Sequence, residues 1–306
     1  MRKLIVGLSL FIIFGALAQE VSEKRIITID SSGGTQRGNL RFGPIIYEHP
    51  DVDGIVSTVS NLTIFSQMAE LQAPEGMLIA QAKGERTASF KDGVRVTRGR
   101  LEAKGPELGY SEKTGLGLLT GRADIVIEPN KEDEDPVFIT TDEVEFDVDT
   151  DQSISRGNVD LENGNQSAIA DELLFEEDRN LGRLRSEQEQ VTITRRDDEG
   201  ELLFITADEI RVLTDNKRLF ARGNVTVVDG GITSTGHTVF FDDEASRAEI
   251  IGDPARSIDE EEGFELTGDR LEQRTDIDAV SIIDASVPSD FDVETFRLRD
   301  EQDPLL

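Results

Sequence analysis

The sequence predicts an all-β chain assembled as a stack of repeated units, and three observations predict it. The first is internal repetition at a fixed offset of 66 residues. Phe138-Ile139-Thr140-Thr141-Asp142-Glu143 returns as Phe204-Ile205-Thr206-Ala207-Asp208-Glu209, and Arg156-Gly157-Asn158-Val159 returns as Arg222-Gly223-Asn224-Val225. Between Phe138 and Phe175, 12 of 38 ungapped positions are identical one offset later, which chance does not give. The second is period-2 alternation, as in Val144-Glu145-Phe146-Asp147-Val148 and Val225-Thr226-Val227, the mark of sheets with one dry face and one wet face. The third is regular turn punctuation at Asp92-Gly93, Asn163-Gly164, Asp229-Gly230-Gly231 and Glu262-Gly263. No amphipathic helix stands out. A period of this length marks units that bury their apolar faces only against their neighbours.

Residues 1–18 read as a signal peptide: Arg2 and Lys3 precede an apolar run from Leu4 to Leu17, and Ala16-Leu17-Ala18 is a small-x-small cleavage site. The mature chain is expected to begin at Gln19. A retained anchor is the rival reading, but a span needs about 20 apolar residues. Residues 19–77 form a degenerate N-terminal β unit in which Arg37-Gly38-Asn39-Leu40 repeats the signature. Residues 78–137 match the second half of a unit at an offset of 65, and 138–203 and 204–263 are the two clear repeats. Residues 264–284 reopen the phrase as a truncated cap, since Phe264-Glu265-Leu266-Thr267 echoes Phe138-Ile139-Thr140-Thr141. Atypical ends are what a capped stack requires. The polar, acidic segment 285–306 is expected to be a flexible tail.

Composition narrows the function. The formal charge is -31, and removing residues 1–18 takes it to -33, so long-range repulsion argues against nucleic acid as a partner. The chain has no cysteine, which excludes disulfides, thiolate metal sites, cysteine nucleophiles and a lipoprotein anchor. Only His49 and His237 are available, in unrelated contexts, and His237 reads as an exposed strand residue. No G-x-S-x-G elbow or phosphate-binding glycine loop is present, so no catalytic residue and no cofactor is assigned. Asp147-Val148-Asp149-Thr150-Asp151 opens like a calcium loop, but Gln152 and Asn158 stand where the glycine and the bidentate glutamate belong, so no metal site is assigned. The Arg-Gly-Asn triplets read as backbone devices, because glycine and asparagine permit the bulge that begins a new strand.

The pattern Thr-x-Asp-Glu-apolar, then Arg-Gly-Asn-Val-x-apolar, then a small residue, an aromatic and a closing Leu-x-Gly strand resembles the OstA-like family of lipopolysaccharide transport proteins, which includes LptA, LptC and the periplasmic domain of LptD. The resemblance covers about residues 78–283 and extends less clearly over 25–77. It implies an open antiparallel β-jellyroll, a V-shaped slot whose apolar interior shields acyl chains. It also implies a periplasmic carrier or bridge for lipopolysaccharide or a related amphipathic glycolipid. Its partners would be other OstA-like domains, in inner-membrane and outer-membrane transport components, joined through their sheet edges. The chain departs from the family in being longer than a simple LptA-type subunit, in lacking a clear retained anchor as in LptC, and in lacking the series of membrane strands of LptD.

Under that reading the repeat names the slot residues. Val94 and Val96, Val159 and Leu161, and Val225 and Val227 share one row at successive units. Leu108 and Tyr110, Leu173 and Phe175, and Val239 and Phe241 share a second. Val144 and Phe146, with Ile210 and Val212, come from the strands that open each repeat. The residue types alone leave two alternatives open: a lipid-binding groove, or the closed core of a structural or adhesion β-repeat.

Overall fold

The computed structural model describes residues 23–132, 134–197, 200–284, 286–302 and 305. The signal segment and its cleavage site lie outside the described residues. Six short strands come first: β1 (Thr28–Asp30), β2 (Thr35–Gly38), β3 (Ile45–Glu48), β4 (Ile55–Val59), β5 (Leu62–Ser66) and β6 (Met68–Gln72). Six long ones follow: β7 (Thr87–Arg98), β8 (Leu101–Ser111), β9 (Leu116–Ile127), β10 (Val137–Asp147), β11 (Gln152–Asn163) and β12 (Gln166–Glu176). Four shorter pieces come next: β13 (Leu181–Arg185), β14 (Val191–Arg196), β15 (Leu202–Ala207) and β16 (Glu209–Leu213). Long strands resume with β17 (Arg218–Asp229), β18 (Ile232–Asp242), β19 (Arg247–Asp259) and β20 (Phe264–Arg274), and β21 (Ala279–Ile282) is last. Helical structure among the described residues is limited to three 3-10 turns, at Glu23–Arg25, Glu177–Arg179 and Val293–Phe296.

Every strand pairing is antiparallel, and most long strands shift register near their middle. Examples are the shifts between Lys91 and Val94, Arg156 and Val159, Arg222 and Val225, and Thr235 and Thr238. At each shift the strand bends, so its two halves belong to two layers. The first layer holds the carboxyl half of β8, the amino half of β9, and so on through β13, β16 and the amino half of β17. The second layer holds the other halves, joined through β14 and β15. The result is a jellyroll-like, all-β fold folded along a line of corners.

The 66-residue repeat is therefore four bent strands. β15 and β16 together stand where β10 stands one unit earlier, and β19 stands where β13 and β14 stand. The corner explains both repeated phrases at once. Gly157 and Asn158 have φ of 78° and 47°, and Asn158 Nδ2 donates to Asp142 Oδ2 at 2.8 Å. One unit later Gly223 and Asn224 have φ of 78° and 48°, and Asn224 Nδ2 donates to Asp208 Oδ2 at 2.9 Å. The Asp of Thr-x-Asp-Glu thus clasps the Asn of Arg-Gly-Asn across the bend. A Cβ on Gly157 would stand 2.5 Å from Asp142 Oδ2, so the position needs glycine for space as well as for φ.

The segment 285–306, expected to be flexible, is instead packed where it is described. Phe296, Leu298 and Leu305 are buried against Leu181, Phe220 and Phe240 on the outer face of the first layer. The reason is visible in Leu219-Phe220-Ala221 and Val239-Phe240-Phe241, where consecutive apolar residues break the alternation. Such runs need cover on both faces of the sheet.

Candidate functional site

The space between the layers is one apolar interior that runs from Ile27 to Leu271. In the first layer an inward row reads Leu108, Leu119, Val144, Ser155, Leu173, Leu184, Ile210, Ala221, Val239 and Ile250 on successive paired strands. Beside it Tyr110, Phe146, Phe175, Val212 and Phe241 form a second row. Val94, Val96, Val159, Leu161, Val225 and Val227 face them from the second layer. All sixteen residues named from the repeat lie in this single cluster, at 0–8% exposure. The rows are apolar but for Ser155 in the first and Ser153 between Phe146 and Phe175 in the second, and the side chains along them are almost fully buried.

The two long borders of the interior differ in what closes them. At the corners the backbone itself passes from layer to layer. At the opposite border, the mouth, the turns of the two layers converge, and among the described residues side chains join them. Asn61 Nδ2 donates to Asp151 Oδ1 at 2.9 Å. Arg98, 2% exposed, donates to the carbonyls of Asp147 and Gln152 at 3.0 Å each and pairs with the Glu177 carboxylate. Arg100 Nη2 donates to Asn180 Oδ1 at 2.6 Å, and Asn163 Nδ2 to the Thr214 carbonyl at 2.9 Å. Farther along, Lys217 Nζ reaches Asp135 Oδ2 at 2.8 Å, and Arg195 Nε reaches Asp243 Oδ1 at 2.6 Å. Near the carboxyl end Ser234 Oγ donates to Gln273 Oε1 at 2.7 Å.

Two clefts interrupt this seam. One, about 270 Å³, is lined by Arg98, Arg100, Leu101, Ile127 and Glu177 among others. The second, about 590 Å³, is polar and lies between Asn165, Arg195 and Glu201 on one side and Ser246, Thr275 and Asp278 on the other. Asp229 stands by the second cleft, where burial, reinforced by the Asp278 charge, pushes its carboxyl from an ordinary 3.8 up to about 6. Burial likewise raises Glu177, and the Arg98 guanidinium works against that shift.

Sequence reasoning missed the seam. Its signal was parity, because Asn163 continues the inward series of Val159 and Leu161, and a polar residue there has to meet a partner across the mouth. His237 is exposed on β18, in keeping with its sequence context. Among the described residues no group of three or more His, Cys, Asp or Glu side chains is arranged to hold a metal ion. No described helix is long and apolar enough to cross a membrane.

No family model matches the chain, and no curated protein matches it. Among solved structures the chain is similar to LptH of Pseudomonas aeruginosa, described as the LptA homologous periplasmic component of the lipopolysaccharide transport device. The TM-score is 0.31 at 12% identity, over 39% of this chain and 82% of that one. A likeness at that score carries no argument about what the interior holds, and the fold rests on the strand pairing itself.

Proposed function

We propose that this chain is a non-enzymatic periplasmic carrier whose interior takes the acyl chains of an amphipathic glycolipid, lipopolysaccharide or a relative of it. The observation that carries the reading is the asymmetry of the interior's borders. A largely apolar track, with Ser155 in its first-layer row, is bounded by backbone along the corners and, among the described residues, by side chains along the mouth. If the layers part at the mouth, acyl chains enter sideways and the polar headgroup stays at the clefts. The repeat resemblance to the OstA-like family supports the same reading. In it, sheet edges recruit like domains by strand addition: among the described residues β1, β2 and β21 each pair on one side only.

One observation favours a second reading. At 0–8% exposure the sixteen interior residues form an ordinary packed core, as a structural or adhesion repeat would have. Native mass spectrometry with lipid extraction, on protein purified from its own envelope, separates the two. The carrier reading expects a co-purifying glycolipid, and a photoreactive residue at Phe241 that cross-links to it. A lipid-free chain that also fails to capture added lipid would leave the closed structural repeat.

A further inference from the structure

The C-terminal segment crosses the back of the first layer as a strap and reaches the mouth. Ser289 Oγ donates to Glu249 Oε2 at 3.1 Å, and Arg247 pairs with Asp290 at 3.1 Å. Phe291 stacks on Phe240 with ring centroids 5.2 Å apart, and Phe296 packs on Phe220 at 5.9 Å. Arg211, fully buried, donates to both Glu301 oxygens at 2.5 and 2.7 Å and to the Phe296 carbonyl at 2.8 Å. The strap thus passes over β19, β18, β17 and β16 and joins no strand ladder among the described residues.

At its far end it grips two turns on the rim of the mouth, residues 148–151 between β10 and β11 and residues 177–180 between β12 and β13. Arg299 donates to the Thr150 carbonyl at 3.1 Å and to Asp178 Oδ2 at 2.6 Å. Arg179 donates to the strap's Arg297 and Thr295 carbonyls at 2.6 and 3.2 Å. Arg98 holds the same two turns from the second layer, through the Asp147 and Gln152 carbonyls and Glu177. Seam clasps and strap anchors therefore share their points of attachment. Glu176, 1% exposed, links the two systems. It accepts from Gln152 Nε2 at 3.1 Å, from Arg179 Nη1 at 2.7 Å and from the Arg299 backbone N–H at 2.8 Å. Undocking the strap takes a donor from this buried carboxylate, which then has to meet water, and that moves the turn beside it. The cleft of about 270 Å³ that opens on Leu101 and Ile127 lies here, with Asp178 in its lining. One unit later the rim is bare. Ala245 stands in the place of Arg179, and among the described residues no hydrogen bond or ion pair joins the strap to turn 243–246. There Arg195 and Asp243 close the seam without it.

We propose that the strap is a latch on the mouth. Docked, it fixes the rim turns that Arg98 clasps and keeps the seam closed at this cleft. Undocked, it lets this stretch of the seam part before the rest. What would enter there is the acyl chain of the carrier reading, and that part of the proposal rests on that reading. The fastening suits release. The Arg299–Asp178 pair is 42% and 57% exposed, and exposed pairs contribute little, so docking is decided at Phe291, Phe296 and Arg211 and not at the rim.

Two full-length variants test the latch. Phe296→Asp unseats the strap, and Arg299→Ala leaves it docked but frees the rim. Each is compared with the unaltered chain by hydrogen–deuterium exchange. In Phe296→Asp the amides of 147–152 and 176–181 should exchange roughly 5- to 30-fold faster. Arg299→Ala should speed the same two segments by less and leave 243–246 at its original rate; if Phe296→Asp does not fold, this variant decides alone. Unchanged exchange at the two turns in either folded variant overturns the latch, as does a rise in Arg299→Ala that is equally large at 243–246. A photoreactive acyl glycolipid separates the latch from the carrier reading. Stronger labelling beside Leu101 and Ile127 in Phe296→Asp supports both. Faster exchange at the rim with no labelling of any chain supports the latch and removes the carrier reading, whereas labelling that neither variant changes overturns the latch.

Discussion

Gly157 and Asp142, and one unit later Gly223 and Asp208, show how a single contact can fix a repeated bend. The glycine supplies a φ of 78°, and the neighbouring Asn donates to an aspartate that would collide with any Cβ at the glycine. Gly157→Ala should therefore cost about 1–3 kcal/mol, from backbone strain plus the lost clasp. Gly223→Ala should cost a similar amount, which urea unfolding of the two variants would check. Asp229 offers a pH test. Its folded value of about 6 lies above the ordinary 3.8, so the folded chain holds this proton more tightly. The stability it contributes is fully present below about pH 3.8, falls as the pH rises through about 6, and is absent above that. Asp229→Asn should flatten that part of the stability profile and raise the melting temperature at pH 7.5, which a pH series of thermal melts would show.

At the scale of strands, the mouth depends on residues at strand ends. Arg98 sits at the end of β7 and holds Glu177, whose side chain is 13% exposed, together with two carbonyls of the opposite layer. Arg98→Ala leaves that carboxylate buried without its partner, which should cost about 3–5 kcal/mol. The double variant with Glu177→Ala should recover part of the loss, and a double-mutant cycle measures the coupling. These ends also mark the limit of what the sequence made legible. Strand rows, corners and the inward set followed from period 2 and the 66-residue offset, because identical phrases must occupy identical environments. That Thr-x-Asp-Glu and Arg-Gly-Asn touch each other did not follow, since pairing register is not written in either phrase. The strap escaped for another reason: acidic composition argued for mobility, while three phenylalanines, Phe220, Phe240 and Phe296, decided its place by burial. Leu219-Phe220-Ala221, apolar at three successive positions, was the overlooked signal.

For the whole molecule, the carrier reading turns on whether the layers can part at the mouth while the corners hold. A neutral seam hydrogen bond contributes about 1 kcal/mol net, and one to a charged group about 1.5–3 kcal/mol. An acyl chain returns about 0.8 kcal/mol for each CH₂ it buries, so a single chain of ordinary length can offset the opening of several clasps. Parting at the corners would instead break the bent strands' own ladders, so the mouth is where opening costs least. The most direct measurement is a cross-seam lock. Asn163→Cys with Thr214→Cys, in a chain otherwise free of cysteine, staples the mouth when oxidised and releases it when reduced. Uptake of a photoreactive acyl glycolipid is then read by mass spectrometry in both states. The account predicts labelling of interior positions in the reduced chain and its loss in the oxidised one. Equal labelling of both states would contradict entry through the mouth, and no labelling of either would mean that the interior is a closed core.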